Sequence, residues 1–256
     1  MPGLDQNISH DTSLLPTRIL MSGGGHAAEQ VKKFIFRSRR TRDAEGTEDS
    51  GSGEYLEILI PELLEANYSF YTWPCAPVLA SYLWEHRESL PGKRVLEIGA
   101  GTSLPGIVAS KCGAVVTLSD SASQPRTLQH MRRCCELNGV SDKICIVGLT
   151  WGFFLSNLFS LGPLDLIIGS DCFYEPTVFE DIVVIVAFLL EKNPRARFLC
   201  TYQERSADWT IEHLLNRWGL SCMHVSLDNL GTNSEVNVRE LMQDHTIHLL
   251  DIQRSE

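Results

Sequence analysis

From residue 74 onward, apolar positions along the chain alternate between two rhythms. Short runs at 94–98, 115–118, 144–148, 164–169 and 197–202 read as strands, too short for helices and bounded by Gly, Asp or Pro. Between them, residues 78–86, 104–112, 124–138, 178–192 and 208–218 carry the spacing of helices packed on one side. Two further strands are expected at 222–226 and 246–252, joined by the polar connection 228–244. Alternation of this kind implies an α/β fold, a parallel sheet with helices on both faces. Upstream, 30–37 and 54–60 read as two strands of a β-hairpin around the charged, Gly/Ser-rich stretch 38–53. The polar segment 1–29, with its three consecutive glycines, is expected to be disordered. The domain plan is therefore 1–29 disordered, 30–66 hairpin extension and 67–256 α/β domain.

Within that plan one stretch carries chemistry: V-L-E-I-G-A-G-T-S-L-P-G, residues 95–106. An apolar strand meets Glu97, and Gly99 and Gly101 then let the backbone turn sharply and approach a ligand closely. Asp120 ends the next strand, where a carboxylate can accept from ribose hydroxyls. These are the marks of a nucleoside-cofactor site at the strand C-termini. A dinucleotide fingerprint would place its third glycine at position 104, which holds Leu104, and Glu97 would repel a pyrophosphate. A cofactor with an ammonium and a sulfonium meets no such conflict, which favours S-adenosyl-L-methionine (SAM) over a nicotinamide. A Gly-rich turn without any ligand is the bland alternative.

Further short motifs stand in order around this one. Trp73-Pro74-Cys75-Ala76-Pro77 precedes it, Thr150-Trp151-Gly152 follows a strand, and Ser170-Asp171-Cys172-Phe173-Tyr174-Glu175 follows another. Taken together over residues 68–210, the set resembles the seven-strand, class I methyltransferases of the methyltransferase-like type. The resemblance implies a Rossmann-like, mostly parallel seven-stranded sheet with an antiparallel last strand, preceded by a hairpin, and SAM as cofactor. It places Trp73, Glu97, Gly99, Ala100, Gly101, Thr102, Asp120, Trp151 and Ser170 around the cofactor. Ala100 and Thr102 would contribute backbone donors, and Trp151 a flat ring beside the adenine. Tyr68 and Tyr71 would form a lid near the methyl-donor end. Asn138 reads as a helix C-cap.

The resemblance also assigns the loop after residue 168 to catalysis. Asp171 would hold a cationic nitrogen, Tyr174 would wall the channel by cation–π contact, and Glu175 would supply a second carboxylate for a guanidinium fork. An ammonium with a reference pKa near ~10.4, or a guanidinium above ~12, must lose or polarise a proton before it can accept a methyl group. The implied activity is protein N-methylation, with an arginine of histone H3 first and a lysine as rival. Known arginine methyltransferases of the larger class place two glutamates in one loop that has no counterpart here.

Charge sharpens the choice of partner. The formal net charge is −10, which disfavours direct nucleic-acid binding and suits a basic protein substrate such as a histone tail. The one dense basic run, 32–42, is followed at once by the acidic 43–49. No apolar run approaches the roughly 20 residues that span a bilayer, and no secretory signal is visible, so nucleus and cytoplasm are the expected locations. The eight cysteines are scattered without a Cys-x-x-Cys pair and read as reduced thiols. The eight histidines show no i, i+4 pair, and no metal site is expected. A small-molecule or RNA methyltransferase remains an alternative. So does a non-catalytic module that binds a transcription factor or chaperone.

Overall fold

A computed structural model describes residues 18–20, 29–38, 54–63, 68–206, 209–228, 230 and 238–255. Seven strands form the central sheet: β4 (Arg94–Glu97), β5 (Val115–Asp120), β6 (Ile144–Gly148), β7 (Leu166–Ser170), β8 (Arg197–Gln203), β9 (Leu220–Val225) and β10 (Ile247–Arg254). Their order is β6-β5-β4-β7-β8-β10-β9. Pairings from β6 through β8 are parallel, whereas β10 runs antiparallel to both β8 and β9. The last strand in sequence is thus the antiparallel one, inserted one position in from the edge.

Strand residues sort onto two faces because successive side chains point oppositely. Val95, Leu166, Ile168, Leu199 and Leu249 join a core with α1 (Cys75–Glu85), α2 (Leu104–Lys111) and α3 (Pro125–Leu137). Leu96, Ile167, Phe198, Cys200 and Leu250 join the opposite core with α5 (Phe179–Lys192) and α6 (Glu212–Arg217). In α5 the buried positions 182, 183, 185, 186, 189 and 190 follow the helical stripe exposed by its apolar run. Two short helices were not legible in the sequence pattern: α4 (Ser156–Phe159) and α7 (Val238–Asp244), the latter inside the polar connection. The helix expected at 208–218 is shorter, Glu212–Arg217, and α1 starts at Cys75, directly after Pro74. No helix among the described residues is long and apolar enough to cross a membrane.

The hairpin consists of β2 (Glu29–Arg37) and β3 (Tyr55–Leu63), with nine antiparallel pairs in register. A third strand, β1 (Arg18–Leu20), pairs with β2 inside the segment expected to lack order. That expectation overlooked the pairing edge a hairpin offers to any neighbouring stretch of backbone. Most of the 38–53 connection lies outside the described residues. Phe36, Ile58 and Ile60 bury the hairpin against the core. Asn138, the C-cap of α3, fastens it further. Its amide donates to the Leu59 and Cys134 carbonyls (2.7 and 2.8 Å) and accepts from the Leu59 N–H (2.9 Å).

Candidate functional site

The C-terminal end of β4 runs into a turn with left-handed backbone at alternate positions: Gly99 (φ 58°), Gly101 (φ 47°) and Ser103 (φ 63°). Side chains are disfavoured in that conformation, and at Gly99 the space one would need is also taken. A Cβ on Gly99 would lie 2.8 Å from Trp151 Cζ2, and one on Gly101 would lie 3.4 Å from the Ser69 carbonyl oxygen. The turn is therefore covered by an indole on one side and by the 68–70 backbone on the other.

Glu97 is fully enclosed at the base of this turn. Its Oε2 accepts from the Gly106 N–H at 2.9 Å, capping the first turn of α2, while Oε1 has no hydrogen-bond partner among the described residues. Burial raises its pKa to about 8; the Gly106 N–H opposes the shift and Asp120 adds to it. Glu97 thus caps the following helix, and the orphaned Oε1 leaves one acceptor for a cationic group. A buried, unpartnered carboxyl oxygen fits the ammonium end of SAM once its proton is released.

Asp120 ends β5 as expected, but its oxygens already serve the protein backbone. Oδ2 accepts from Gly101 N–H (2.9 Å) and Oδ1 from Ser121 N–H (2.8 Å), so it pins the glycine turn. Burial raises its pKa, partly offset by these two bonds. Each oxygen keeps a second lone pair for a hydroxyl. Ala100 corrects one expectation: its N–H is bonded to the Ser119 carbonyl at 2.9 Å and is not free for a ligand. Thr102 is buried, with its hydroxyl 3.2 Å from that of Thr72.

Trp73 sits on the entry segment before α1, where Tyr68 and Tyr71 flank it at centroid distances of 5.9 and 5.1 Å. Its indole N–H donates to the Tyr68 carbonyl (2.9 Å). Tyr174 lies 6.4 Å from Tyr68, which brings the segment 68–73 and the loop after β7 together. Tyr68, Tyr71 and Tyr174 are all exposed, the first by 74%. Lys32 already rests over the Tyr71 ring at 4.6 Å, so this rim accepts cations.

Asp171 does not stand open to an incoming cation. Arg205, just beyond β8, meets it in a two-pronged ion pair, Nη1 to Oδ1 at 2.9 Å and Nη2 to Oδ2 at 2.6 Å. Asp171 has left-handed backbone (φ 55°) and its N–H donates to the Thr201 carbonyl at 2.8 Å. The carboxylate is thus a brace that ties the loop after β7 to the exit of β8. A shared guanidinium grip by Asp171 and Glu175 would first have to displace Arg205. Glu175 itself is exposed and accepts from the Thr177 hydroxyl (3.3 Å). Ser170 ends β7, half-buried, opposite Thr201 of β8.

Cys75, Cys172 and Cys200 lie buried around Asp171, and burial pushes their thiols well above the ordinary range, so they stay protonated. All eight cysteines are free; Cys145 is exposed rather than buried. The sequence reading gave no role to Arg205, Thr72, Glu62 or Lys32. For Arg205, the Glu-Arg-Ser that follows an apolar strand was the available signal; the others needed the hairpin's placement.

Comparison with known proteins identifies the family. The profile of a family described as lysine methyltransferase matches residues 55–213. A Xenopus laevis protein named histone-arginine methyltransferase METTL23 is 50% identical over 225 residues, 88% of this chain and 91% of that one. The human protein of the same name is 49% identical over 183 residues, 71% and 96% of the two chains. Mouse METTL21A, named a protein N-lysine methyltransferase, is 35% identical over 131 residues, covering 50% and 58%. Among solved structures, a SAM-dependent methyltransferase from Agrobacterium tumefaciens superposes with a TM-score of 0.54 at 14% identity, a likeness of fold that covers 78% of this chain and 68% of that one. The chain belongs to the lysine methyltransferase family, and with it to the SAM-dependent methyltransferases.

Proposed function

We propose that this protein methylates an arginine of a histone tail, at the end of the sheet where β4, β5 and β7 meet. The observation that carries the reading is the 50% identity, across 88% of the chain, to a relative named histone-arginine methyltransferase. When bound, SAM supplies a methyl group on a sulfonium that departs as a neutral thioether. Glu97, Gly99, Gly101, Asp120, Trp151 and Trp73 are the residues that would hold it, with Ala100, Thr102 and Ser170 in the surrounding backbone.

The acceptor meets a different set. The exposed faces of Tyr68, Tyr71 and Tyr174 offer cation–π contact to a guanidinium entering over the glycine turn. Burial raises the Tyr174 phenol pKa, with Asp120 the next contributor, so the hydroxyl stays neutral at physiological pH and can hydrogen-bond the nitrogen. For each methyl gained the acceptor sheds one proton, and the exposed carboxylate of Glu175, next to Tyr174 in the chain, is our candidate to receive it. Asp171, held by Arg205, acts through the loop that presents Tyr174 rather than by gripping substrate. A net charge of −10 favours approach of a basic tail, and a histone acceptor implies action in the nucleus.

Lysine is the second reading, favoured by the family's description and by the mouse lysine-methylating relative. Radiolabelled transfer to histone H3, followed by mass spectrometry of the labelled peptide, separates the two. Label on an arginine supports the proposal. Label confined to lysine, or to no histone at all, refutes the acceptor assignment.

A further inference from the structure

The hairpin carries a carboxylate that its role as a cover does not explain. Glu62 of β3 is 4% exposed, an unusual setting for a charged side chain on a peripheral strand. Its oxygens divide between two partners. Oε1 accepts from the Thr72 N–H at 2.8 Å, and Oε2 pairs with Lys32 Nζ of β2 at 3.0 Å. Lys32 in turn lies over the Tyr71 ring at 4.6 Å. On its other side, Thr72 meets Thr102 of the glycine turn, hydroxyl to hydroxyl at 3.2 Å, with both residues buried.

We infer that Lys32 and Glu62 form a positioning pair that fixes the aromatic segment 68–73 against the glycine turn, making the hairpin part of the cofactor and acceptor machinery. The inference rests on the proposed reading of the site for its consequence in catalysis, though not for its geometry. Segment 68–73 is held from the hairpin side by Glu62 and Lys32, from the glycine turn by Thr102, and from α3 by His130, whose ring meets that of buried Phe70 at 5.1 Å. Tyr68, Tyr71 and Trp73 are its side chains at the rim. A displacement of a fraction of an ångström there moves three rings relative to the donor's seat, and positional errors of that order weaken binding and transfer.

The fold supplies an internal control. Lys33 and Glu57 form a second diagonal pair on the same two strands, at 3.3 Å, with side chains 54% and 42% exposed. It has the same chemistry, lies on the opposite diagonal of the same ladder, and faces outward.

The test compares full-length Lys32→Met/Glu62→Gln with Lys33→Met/Glu57→Gln. The first removes both charges and keeps an oxygen to accept the Thr72 N–H. SAM dissociation constants come from calorimetry, KM and kcat from methyl transfer to histone H3, and amide hydrogen exchange is followed at residues 68–73 and 102. The inner variant is expected to bind SAM about tenfold more weakly and to exchange faster at those amides. The outer variant should match the wild type in both. KM for SAM should rise more than kcat falls, and Lys32→Arg, which keeps the cation, should restore binding. Wild-type SAM affinity and wild-type exchange in the inner variant, with only a lowered melting temperature, would overturn the inference and leave the hairpin as a cover. If the wild type binds SAM but methylates no histone, the acceptor assignment fails, while the affinity and exchange comparison still decides the role of the pair.

Discussion

Glu97→Gln offers the sharpest test of how the turn is built, because the enclosed carboxyl must leave a signature in stability against pH. Its pKa rises from 4.5 to about 8 through burial. Between those values the unfolded chain has lost the proton and the folded chain still holds it. Stability therefore falls as pH rises across this window, is fully present below pH 4.5, and is lost as pH passes 8. The slope limit is about 1.4 kcal/mol per pH unit, which over the window gives an upper bound of about 5 kcal/mol. Gln keeps an oxygen for the Gly106 N–H and cannot titrate. The difference between wild-type and variant unfolding free energies, measured by urea titration from pH 5 to 8, should therefore shrink or change sign steadily as pH rises. The raised pKa of Asp120 acts in the same sense but is common to both proteins. Asp165 is depressed by its Arg94 hydrogen bonds, and it titrates below the window. Parallel stability curves for the two proteins would refute the assignment of a protonated, enclosed Glu97.

The same residue should register the cofactor. At pH 7 a group with a pKa near 8 is about nine-tenths protonated. If Oε1 meets the ammonium of SAM, binding must expel close to that fraction of a proton. Calorimetry in two buffers of different ionisation enthalpy measures it directly. Affinity should rise with pH between 6 and 8 in the wild type and stay flat in Glu97→Gln. Proton-neutral binding would mean that Glu97 only caps α2.

Other perturbations follow from the same geometry. Arg205→Ala leaves the Asp171 carboxylate, whose side chain is 5% exposed, without its cation; a loss of about 3 to 5 kcal/mol is expected on chemical denaturation, with Arg205→Lys recovering part. An unchanged midpoint would mean the ion pair does not form. Gly99→Ala forces a side chain onto left-handed backbone and into Trp151, at about 1 to 2 kcal/mol for the backbone alone. Its SAM affinity should fall more than tenfold while far-UV circular dichroism is retained; wild-type affinity would contradict the close packing of the turn. Asn138→Ala abolishes the amide bonds to both Leu59 groups. That should cost about 1 to 3 kcal/mol by denaturation and loosen exchange in β3 first.

Much of the fold was legible because local pattern decides it. The strands at 94–98, 144–148 and 197–202 and the helices at 104–112 and 124–138 lie within a few residues of the observed elements, since each has a flank of Gly, Pro or Asp and a clear rhythm. The failures occur where tertiary context wins. Arg18–Leu20 pairs only because β2 offers an edge, and Val238–Asp244 becomes helical inside a stretch too polar to announce it. The positions of Gly99, Gly101 and Asp120 followed from the turn a strand must make. What Asp120 bonds to did not, because the Gly101 N–H that it accepts lies 19 residues away in sequence.

Asp171 shows why a site of this kind resists reading from one chain. A carboxylate at a strand end reads as a hand held out to substrate, and nothing adjacent contradicts that. Its partner lies 34 residues downstream on the next strand's exit. The same holds across the site: Glu62, Glu97, Asp120 and Asp171 each spend at least one oxygen on a backbone N–H or on the chain's own cation. Such groups stiffen the turns that face the ligands, and a buried carboxylate already paired gains little by exchanging one guanidinium for another. Under the proposed function, discrimination at the acceptor would fall to what is left exposed: the faces of Tyr68, Tyr71 and Tyr174, and the Glu175 carboxylate. A rim of that composition recognises a flat, weakly hydrated cation better than a compact, strongly hydrated one. Under the proposed function, that preference joins the 50% identity to a relative named histone-arginine methyltransferase in placing arginine ahead of lysine.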